Sequence, residues 1–248
     1  MRITIIGAGE LGGRVARRIS ADVRAITATP ARHPALHAAG VQPSTEWPRL
    51  SAADRVLLAL PGSPRQLEAI ERLASQPRPA RAVLISTIGF HGPYSGTIRA
   101  ADPPGSSKRA HLAATTEAAF RRWAGPNGSI LRCAGLWHRD RGPQRAFTRS
   151  RTARLGPPDA PLPLIHYEDA ATLATAALVD DVIHPVLLGV VSAPTRSDFY
   201  TACARAIGAP VPLFTAPTGL QVGFEDPVAS QLLGSPAYPD WRAMLHTD

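Results

Sequence analysis

The sequence predicts an α/β fold in which a doubly wound parallel sheet carries helices on both faces and a smaller lobe follows at the C-terminal end. Three observations predict it. Short apolar runs alternate with stretches of helical periodicity. The apolar runs do not alternate with polar residues, which is expected of strands covered on both faces. A chain of 248 residues, 44% hydrophobic and 19% charged, can bury a full core around one sheet and has little left for a second. Residues 1–134 are expected to form the core and residues 135–248 a lobe interwoven with it in one compact unit.

Ile3-Thr4-Ile5-Ile6 is a β-branched run that ends in Gly7, after which Leu11, Val15, Ala16 and Ile19 recur at helical spacing. A second strand is expected over Val23–Ala28, stopping before Pro30, and a third over Asp54–Leu60, broken by Pro61-Gly62. Ser63-Pro64 reads as an N-cap and first helical residue, with Leu67, Ile70 and Leu73 as the buried stripe. Ala82–Ile85 predicts a strand that leads into Ser86-Thr87 and a glycine-punctuated loop as far as Gly105. A helix over Ala110–Trp123 and a strand over Ser129–Cys133 complete the core pattern. Beyond Gly135 come an arginine-rich loop, a helix over Glu168–Leu178, a strand over Val186–Val191, a helix over Phe199–Ile207 and an irregular, proline-rich tail.

Gly7-Ala8-Gly9-Glu10-Leu11-Gly12 is G-x-G-x-x-G, placed after a strand and at the opening of a helix, as the Rossmann fingerprint requires. Gly7 permits the tight turn, Gly9 lets a pyrophosphate approach the backbone, and Gly12 allows close packing of helix on strand. The N-terminal amides of the helix, beginning at Glu10 and Leu11, would face the phosphates. An NAD site places a carboxylate at the end of the second strand for the ribose 2′-hydroxyl, yet no acid occurs between Asp22 and Glu46. Thr27, Thr29 and Arg32 stand there instead. A guanidinium pairs with a 2′-phosphate that a carboxylate would repel, so NADP(H) is favoured over NAD(H). Leu60, Pro61 and Gly62, together with Ser86, are expected to complete the cofactor site from the ends of the neighbouring strands.

Composition excludes other classes. The formal charge of +8 rests almost wholly on arginine, Lys108 being the single lysine, and aromatic residues amount to 6%, so base stacking on nucleic acid is poorly supplied. Cys133 and Cys203 are too few for a disulfide framework or a cysteine metal site. His33 and His37 have metal-pair spacing, but Pro34 intervenes and no carboxylate completes a site, so no metal is expected. No apolar run approaches the length of a membrane span, and the expected location is cytoplasmic. Oligomeric state is not legible.

Taken in order, these motifs resemble the atypical, extended short-chain dehydrogenase/reductase superfamily, the NAD(P)-dependent epimerase/dehydratase-like proteins. Leu84-Ile85-Ser86-Thr87-Ile88-Gly89-Phe90-His91-Gly92 is similar to that family's strand ending in serines and Val-Tyr-Gly. Leu131-Arg132-Cys133-Ala134-Gly135-Leu136-Trp137 resembles its Leu-Arg-x-x-Gly-Ile-Tyr strand, and Ile165-His166-Tyr167-Glu168-Asp169 its Ile-His-x-x-Asp helix start. Tyr238-Pro239-Asp240-Trp241-Arg242 is similar to the tail of its atypical members. The resemblance implies a nicotinamide cofactor and places Thr87 where the family has its catalytic Ser/Thr. The family's Tyr-x-x-x-Lys is missing here; aligned on Leu112-Ala113-Ala114-Thr115, the helix offers Ser107 and His111, with Lys108 out of register.

With that pair absent, the acid/base candidates are His91 and Tyr94, both on the loop beyond Ser86-Thr87, with Thr87 holding a substrate oxygen. Arg139, Arg141, Arg145, Arg149, Arg151 and Arg154 form a basic stretch suited to a phosphate or carboxylate. At the later helix start, Asp169 is expected to cap N–H groups and His166 to bond a neighbouring strand. The expected activity is that of an NADP(H)-dependent oxidoreductase or epimerase-like enzyme acting on a small polar, anionic carbonyl or imine. A non-catalytic NAD(P)-binding sensor or partner protein is the alternative.

Overall fold

The protein is described from a computed structural model over residues 2–145 and 155–245. The elements run β1 (Arg2–Ile6), α1 (Glu10–Arg18), β2 (Asp22–Ile26), α2 (His33–Ala38), β3 (Gln42–Ser44), β4 (Arg55–Leu58), α3 (Ser63–Leu73), β5 (Arg81–Thr87), β6 (Gly96–Arg99) and α4 (Lys108–Ala124). They continue with β7 (Gly128–Cys133), β8 (Gly135–Trp137), β9 (Leu164–His166), α5 (Tyr167–Val179), β10 (Val186–Gly189), α6 (Arg196–Ala206), β11 (Val222–Glu225) and α7 (Pro227–Leu233). Seven strands form one sheet in the order β10-β7-β5-β4-β1-β2-β3, and every pairing within it is parallel. This is the expected Rossmann-type doubly wound sheet.

Alternation along the central strands sorts side chains onto two faces. Ile3, Ile5, Val83, Ile85 and Leu131 pack with Leu11 and Val15 of α1 and with Ala170, Leu173 and Ala174 of α5. Ile6, Val56, Leu58, Leu84 and Ile130 pack on the other side with Ile70 and Leu73 of α3 and Phe120 and Trp123 of α4. A third cluster, of Trp137, Leu164, Phe199, Cys203 and Trp241, gathers residues from the C-terminal part of the chain. The strand order reverses between β1 and β4, which opens a crevice at the carboxyl ends of the strands where ligands of such sheets bind.

Several expectations needed correction. Gly62, at φ +79, caps α3, and Ser63 lies inside the helix with no side-chain cap formed. Leu67 is only half-buried; Gln66 is buried in its place and its amide donates to the carbonyls of Leu60 (3.0 Å) and Ile85 (2.7 Å), tying the ends of β4 and β5. His166, not Asp169, caps α5: its Nδ1 accepts from the Glu168 amide at 3.1 Å. Asp169 instead accepts from the amides of Ala237 (2.7 Å) and Tyr238 (3.3 Å), and Tyr238 stacks on His166 with ring centroids 3.6 Å apart. The tail is not irregular, since it carries β11, which pairs in parallel with β6 from the glycine-rich loop, and α7. Among the described residues no helix is long and apolar enough to cross a membrane.

Candidate active site

The glycine turn is shaped by close approach. Gly7 has φ +96, and a Cβ there would lie 2.8 Å from the Ala59 carbonyl group; a Cβ at Gly12 would collide with the Gly7 carbonyl oxygen. Gly9 differs, because a Cβ there would meet no atom within 4 Å. The turn therefore packs tightly against β4 and α1 on two sides and is open on the third. That opening faces a groove of about 270 Å³ lined by Gly7, Gly9, Thr29, Arg32, Leu60 and Arg65, among others. The groove continues past Thr27 and Leu60 toward Trp47, against whose ring the Arg72 guanidinium lies at 4.9 Å. A dinucleotide fits this arrangement: backbone open to phosphate at Gly9, cations on the rim and an aromatic residue at the far end.

The rim residues are paired with one another. Arg32 Nη2 donates to Glu10 Oε1 at 2.5 Å, and Arg14 Nη1 donates to Glu10 Oε2 at 2.7 Å. Hydrogen bonding from Arg32, ahead of that from Arg14, outweighs the desolvation of the Glu10 carboxyl and holds it down to about 2. His138 Nε2 lies 3.8 Å from the same carboxylate. Thr27 donates to the Thr29 carbonyl at 2.9 Å and takes a bond with His33 Nε2 at 2.8 Å, which fixes the strand end below Arg32. Leu11 and Gly12 are buried and serve the packing of α1. Gly62 is absent from the groove lining, where Leu60 and Pro61 stand.

At the end of β5 the two hydroxyls are wired in opposite senses. Ser86 donates to Glu117 Oε1 at 2.7 Å, so its proton is committed inward and only its lone pairs remain. Thr87 accepts from the Gly89 amide (3.1 Å) and from Arg109 Nη2 (3.0 Å), so its lone pairs are committed and its proton remains. Thr87 is thus a donor toward anything beyond the strand end. Arg109 lies across Gly89, where a Cβ would come 2.6 Å from its Nε, so a side chain at that position would displace the guanidinium from this placement. Arg109 stands in the first turn of α4, and no sequence motif flagged it.

Behind this edge lies a buried ionic network that no motif in the sequence announces. Arg132, 2% exposed, donates from Nε (3.0 Å) and Nη2 (2.8 Å) to the fully buried Glu117 carboxylate. Its Nη1 donates to the Ala100 carbonyl (3.0 Å) and to His91 Nε2 (2.9 Å), and its guanidinium lies 3.4 Å from the Phe90 ring centroid. A guanidinium only donates, so His91 Nε2 is unprotonated here. Burial, and then the charge of Arg132, push the imidazole down to about 4, leaving it neutral at pH 7. His91 itself is 4% exposed.

Tyr94 is half-buried, with its ring edge-on to Phe224 at 5.4 Å. Burial raises its phenol above the ordinary tyrosine range, while the charges of Arg109 and Arg196 pull it back. Arg196, at the start of α6, has a buried Nε with no hydrogen-bond partner. Thr87 and Tyr94 therefore share the influence of one guanidinium, that of Arg109, whereas His91 is engaged with Arg132. Of the basic stretch, Arg139, Arg141 and Arg145 are described; Arg149, Arg151 and Arg154 lie outside the described residues. Among the described residues no group of three His, Cys, Asp or Glu side chains could hold a metal.

No family model and no curated protein sequence matches the chain. Solved structures do. Human epimerase family protein SDR39U1, determined with NADPH, is similar at 18% identity and a TM-score of 0.74, over 99% of this chain and 98% of that one. UDP-glucuronic acid 4-epimerase from Bacillus cereus, determined with NAD, matches at 17% identity and 0.70, covering 96% and 94%. A conserved protein of unknown function from Silicibacter pomeroyi matches at 19% and 0.73, covering 98% and 96%. At such identities the likeness speaks for architecture: this chain has the fold of the NAD(P)-dependent epimerase structures over nearly its whole length.

Proposed function

We propose that the protein is an NADP(H)-dependent oxidoreductase or epimerase-like enzyme that acts on a small, anionic carbonyl or imine compound. The observation that carries this reading is the wiring of Thr87. A hydroxyl stripped of acceptor capacity by Gly89 and Arg109, at the end of the strand next to the dinucleotide groove, is suited to donating to a carbonyl oxygen. Gly7, Gly9, Leu60, Pro61, Thr29 and Arg32 would hold the dinucleotide, with Arg65 as a further rim cation. Its nicotinamide supplies hydride donor and acceptor chemistry.

Thr87 would hold the substrate oxygen while the Arg109 guanidinium steadies negative charge growing there. Tyr94 is the better proton donor of the two candidates, because His91 is neutral, buried and already bonded to Arg132. Arg109 and Arg196 favour a substrate carrying carboxylate or phosphate. The UDP-sugars bound in structures of similar fold support a small anionic substrate.

The test is calorimetric titration with NADPH and NADH, followed by an NADPH-oxidation assay on a panel of small oxo-acids and phosphorylated carbonyl compounds. Thr87→Ser should retain turnover and Thr87→Val should lose it by about two orders of magnitude, as removal of an oxyanion donor does. Tight NADPH binding without turnover on any of the panel would favour the sensor or partner reading. Absence of binding to either dinucleotide would end both.

A further inference from the structure

The arginine that reads as the 2′-phosphate partner is already held by an anion of the protein itself. Arg32 is half-exposed, and Glu10 is its hydrogen-bonded acceptor, through a single Nη2 contact. The positions are unequal in what each would lose by parting. Without Arg32, the Glu10 carboxylate keeps Arg14 at 2.7 Å and His138 at 3.8 Å. Arg14 in turn is tied to Glu168 at 2.7 Å, so the charge chain along α1 and α5 closes without Arg32. An exposed, single-contact pair of this kind is worth little and exchanges easily. A dianionic phosphate offers Arg32 a stronger, bidentate partner, while Glu10 nearby repels it.

We propose that Glu10 competes with the cofactor's 2′-phosphate for Arg32, so that the protein itself moderates its affinity for NADP(H). The inference rests on the NADP(H) reading above. Glu10 then sets the preference between the two dinucleotides from the side opposite to Arg32: it lowers NADPH affinity selectively and speeds release, since a carboxylate waits to reclaim the arginine.

The experiment measures dissociation constants of the full chain for NADPH and NADH, and for the fragments 2′,5′-ADP and 5′-ADP, in wild type, Glu10→Gln, Glu10→Asp, Arg32→Ala and the Glu10→Gln/Arg32→Ala double variant. Glu10→Gln should tighten NADPH and 2′,5′-ADP at least fivefold while NADH and 5′-ADP change by less than twofold. Glu10→Asp, which keeps the helix charge but shortens the reach to Arg32, should tighten them by a smaller factor and guards against a folding defect in the amide variant. In the Arg32→Ala background most of the Glu10→Gln gain should vanish, leaving only the relief of direct repulsion between the carboxylate and the phosphate. Weaker NADPH binding in Glu10→Gln, or equal tightening of both dinucleotides, overturns the proposal while leaving the cofactor reading intact. If wild type binds neither dinucleotide, it is the cofactor reading that has failed, and the inference falls with it.

Discussion

The end of β5 and the rim of the dinucleotide groove both depend on arginine–glutamate pairs, and the two pairs could hardly be built more differently. Arg132 and Glu117 are 2% and 0% exposed and joined by two hydrogen bonds, and they have further bonds to Ser86, His91 and Ala100. Arg32 and Glu10 are 52% and 24% exposed and joined by one. Buried charges fix geometry, because neither partner can leave without stranding the other in a low dielectric. Exposed charges can trade water and ligands at little cost. The difference suits the strand end to precision and the rim to exchange: the buried pair holds the Ser86 hydroxyl in place, whereas the exposed pair can part at little cost.

The sharpest way to break this comparison is to remove one buried partner. Glu117→Ala leaves the Arg132 charge unpaired in the core and should cost about 3–5 kcal/mol of stability, read from urea or guanidinium unfolding. A Glu117→Leu/Arg132→Met double variant should recover only part of that, because Ser86, His91 and the Ala100 carbonyl lose their partner as well. A loss below 1 kcal/mol in Glu117→Ala would mean that water reaches the network, and the contrast with the rim would collapse.

The glycines sharpen it next. Gly12→Ala places a Cβ against the Gly7 carbonyl and should destabilise by roughly 2–3 kcal/mol, a typical penalty for overpacking. Gly9→Ala, with no atom within 4 Å of the new Cβ, should fold with near wild-type stability yet weaken both dinucleotides about tenfold. Thermal unfolding beside calorimetric titration checks both. A stable Gly9→Ala variant that binds NADPH normally would show that phosphate does not approach the backbone there.

A pH series separates the regions again. Burial pushes His91 and His166 down to about 4, so between about 6.5 and 4 the unfolded chain binds protons that the folded chain refuses. Their stabilising contribution is complete above pH 6.5 and is lost as the pH falls toward 4, on the order of 2 kcal/mol for each imidazole at pH 5. His166→Asn keeps a helix cap but cannot titrate, and should flatten part of the slope in the unfolding midpoint. Glu10, held down to about 2, adds its own loss only at the lower end of this window, where the unfolded carboxyl begins to take up protons, so the upper part of the slope reports the two imidazoles.

The sequence told these regions apart only in part. The glycine turn was legible because its chemistry is local: strand, turn and helix start fall within residues 2–12. So was the parallel sheet, since apolar non-alternating runs carry their own signal. The buried network was not, because Ser86, His91, Glu117 and Arg132 come from separate elements, and a lone Glu inside a helix pattern looks like any solvated residue. Arg109 was missed for the same reason: its role depends on the α4 start lying across Gly89, a matter of docking between elements. His166 and Asp169 were recognised as a helix start, but the cap falls to His166, because the return of Ala237 and Tyr238 occupies the Asp169 carboxylate.

The smallest expected effect is also the one that decides whether the rim is built for exchange. Arg32→Ala removes an exposed pair of modest worth, and Glu10 keeps Arg14, so the unfolding free energy should shift by less than about 0.5 kcal/mol. NADPH affinity should nevertheless fall tenfold or more, and the NADH affinity stay within twofold, because only the 2′-phosphate loses its partner. The salt dependence of NADPH binding should flatten in the same variant, since one cation fewer attracts the phosphate. A stability loss above 1 kcal/mol would instead place Arg32 beside Arg132 as a structural cation. The rim would then be as fixed as the strand end, with no arginine free to be traded between Glu10 and a ligand.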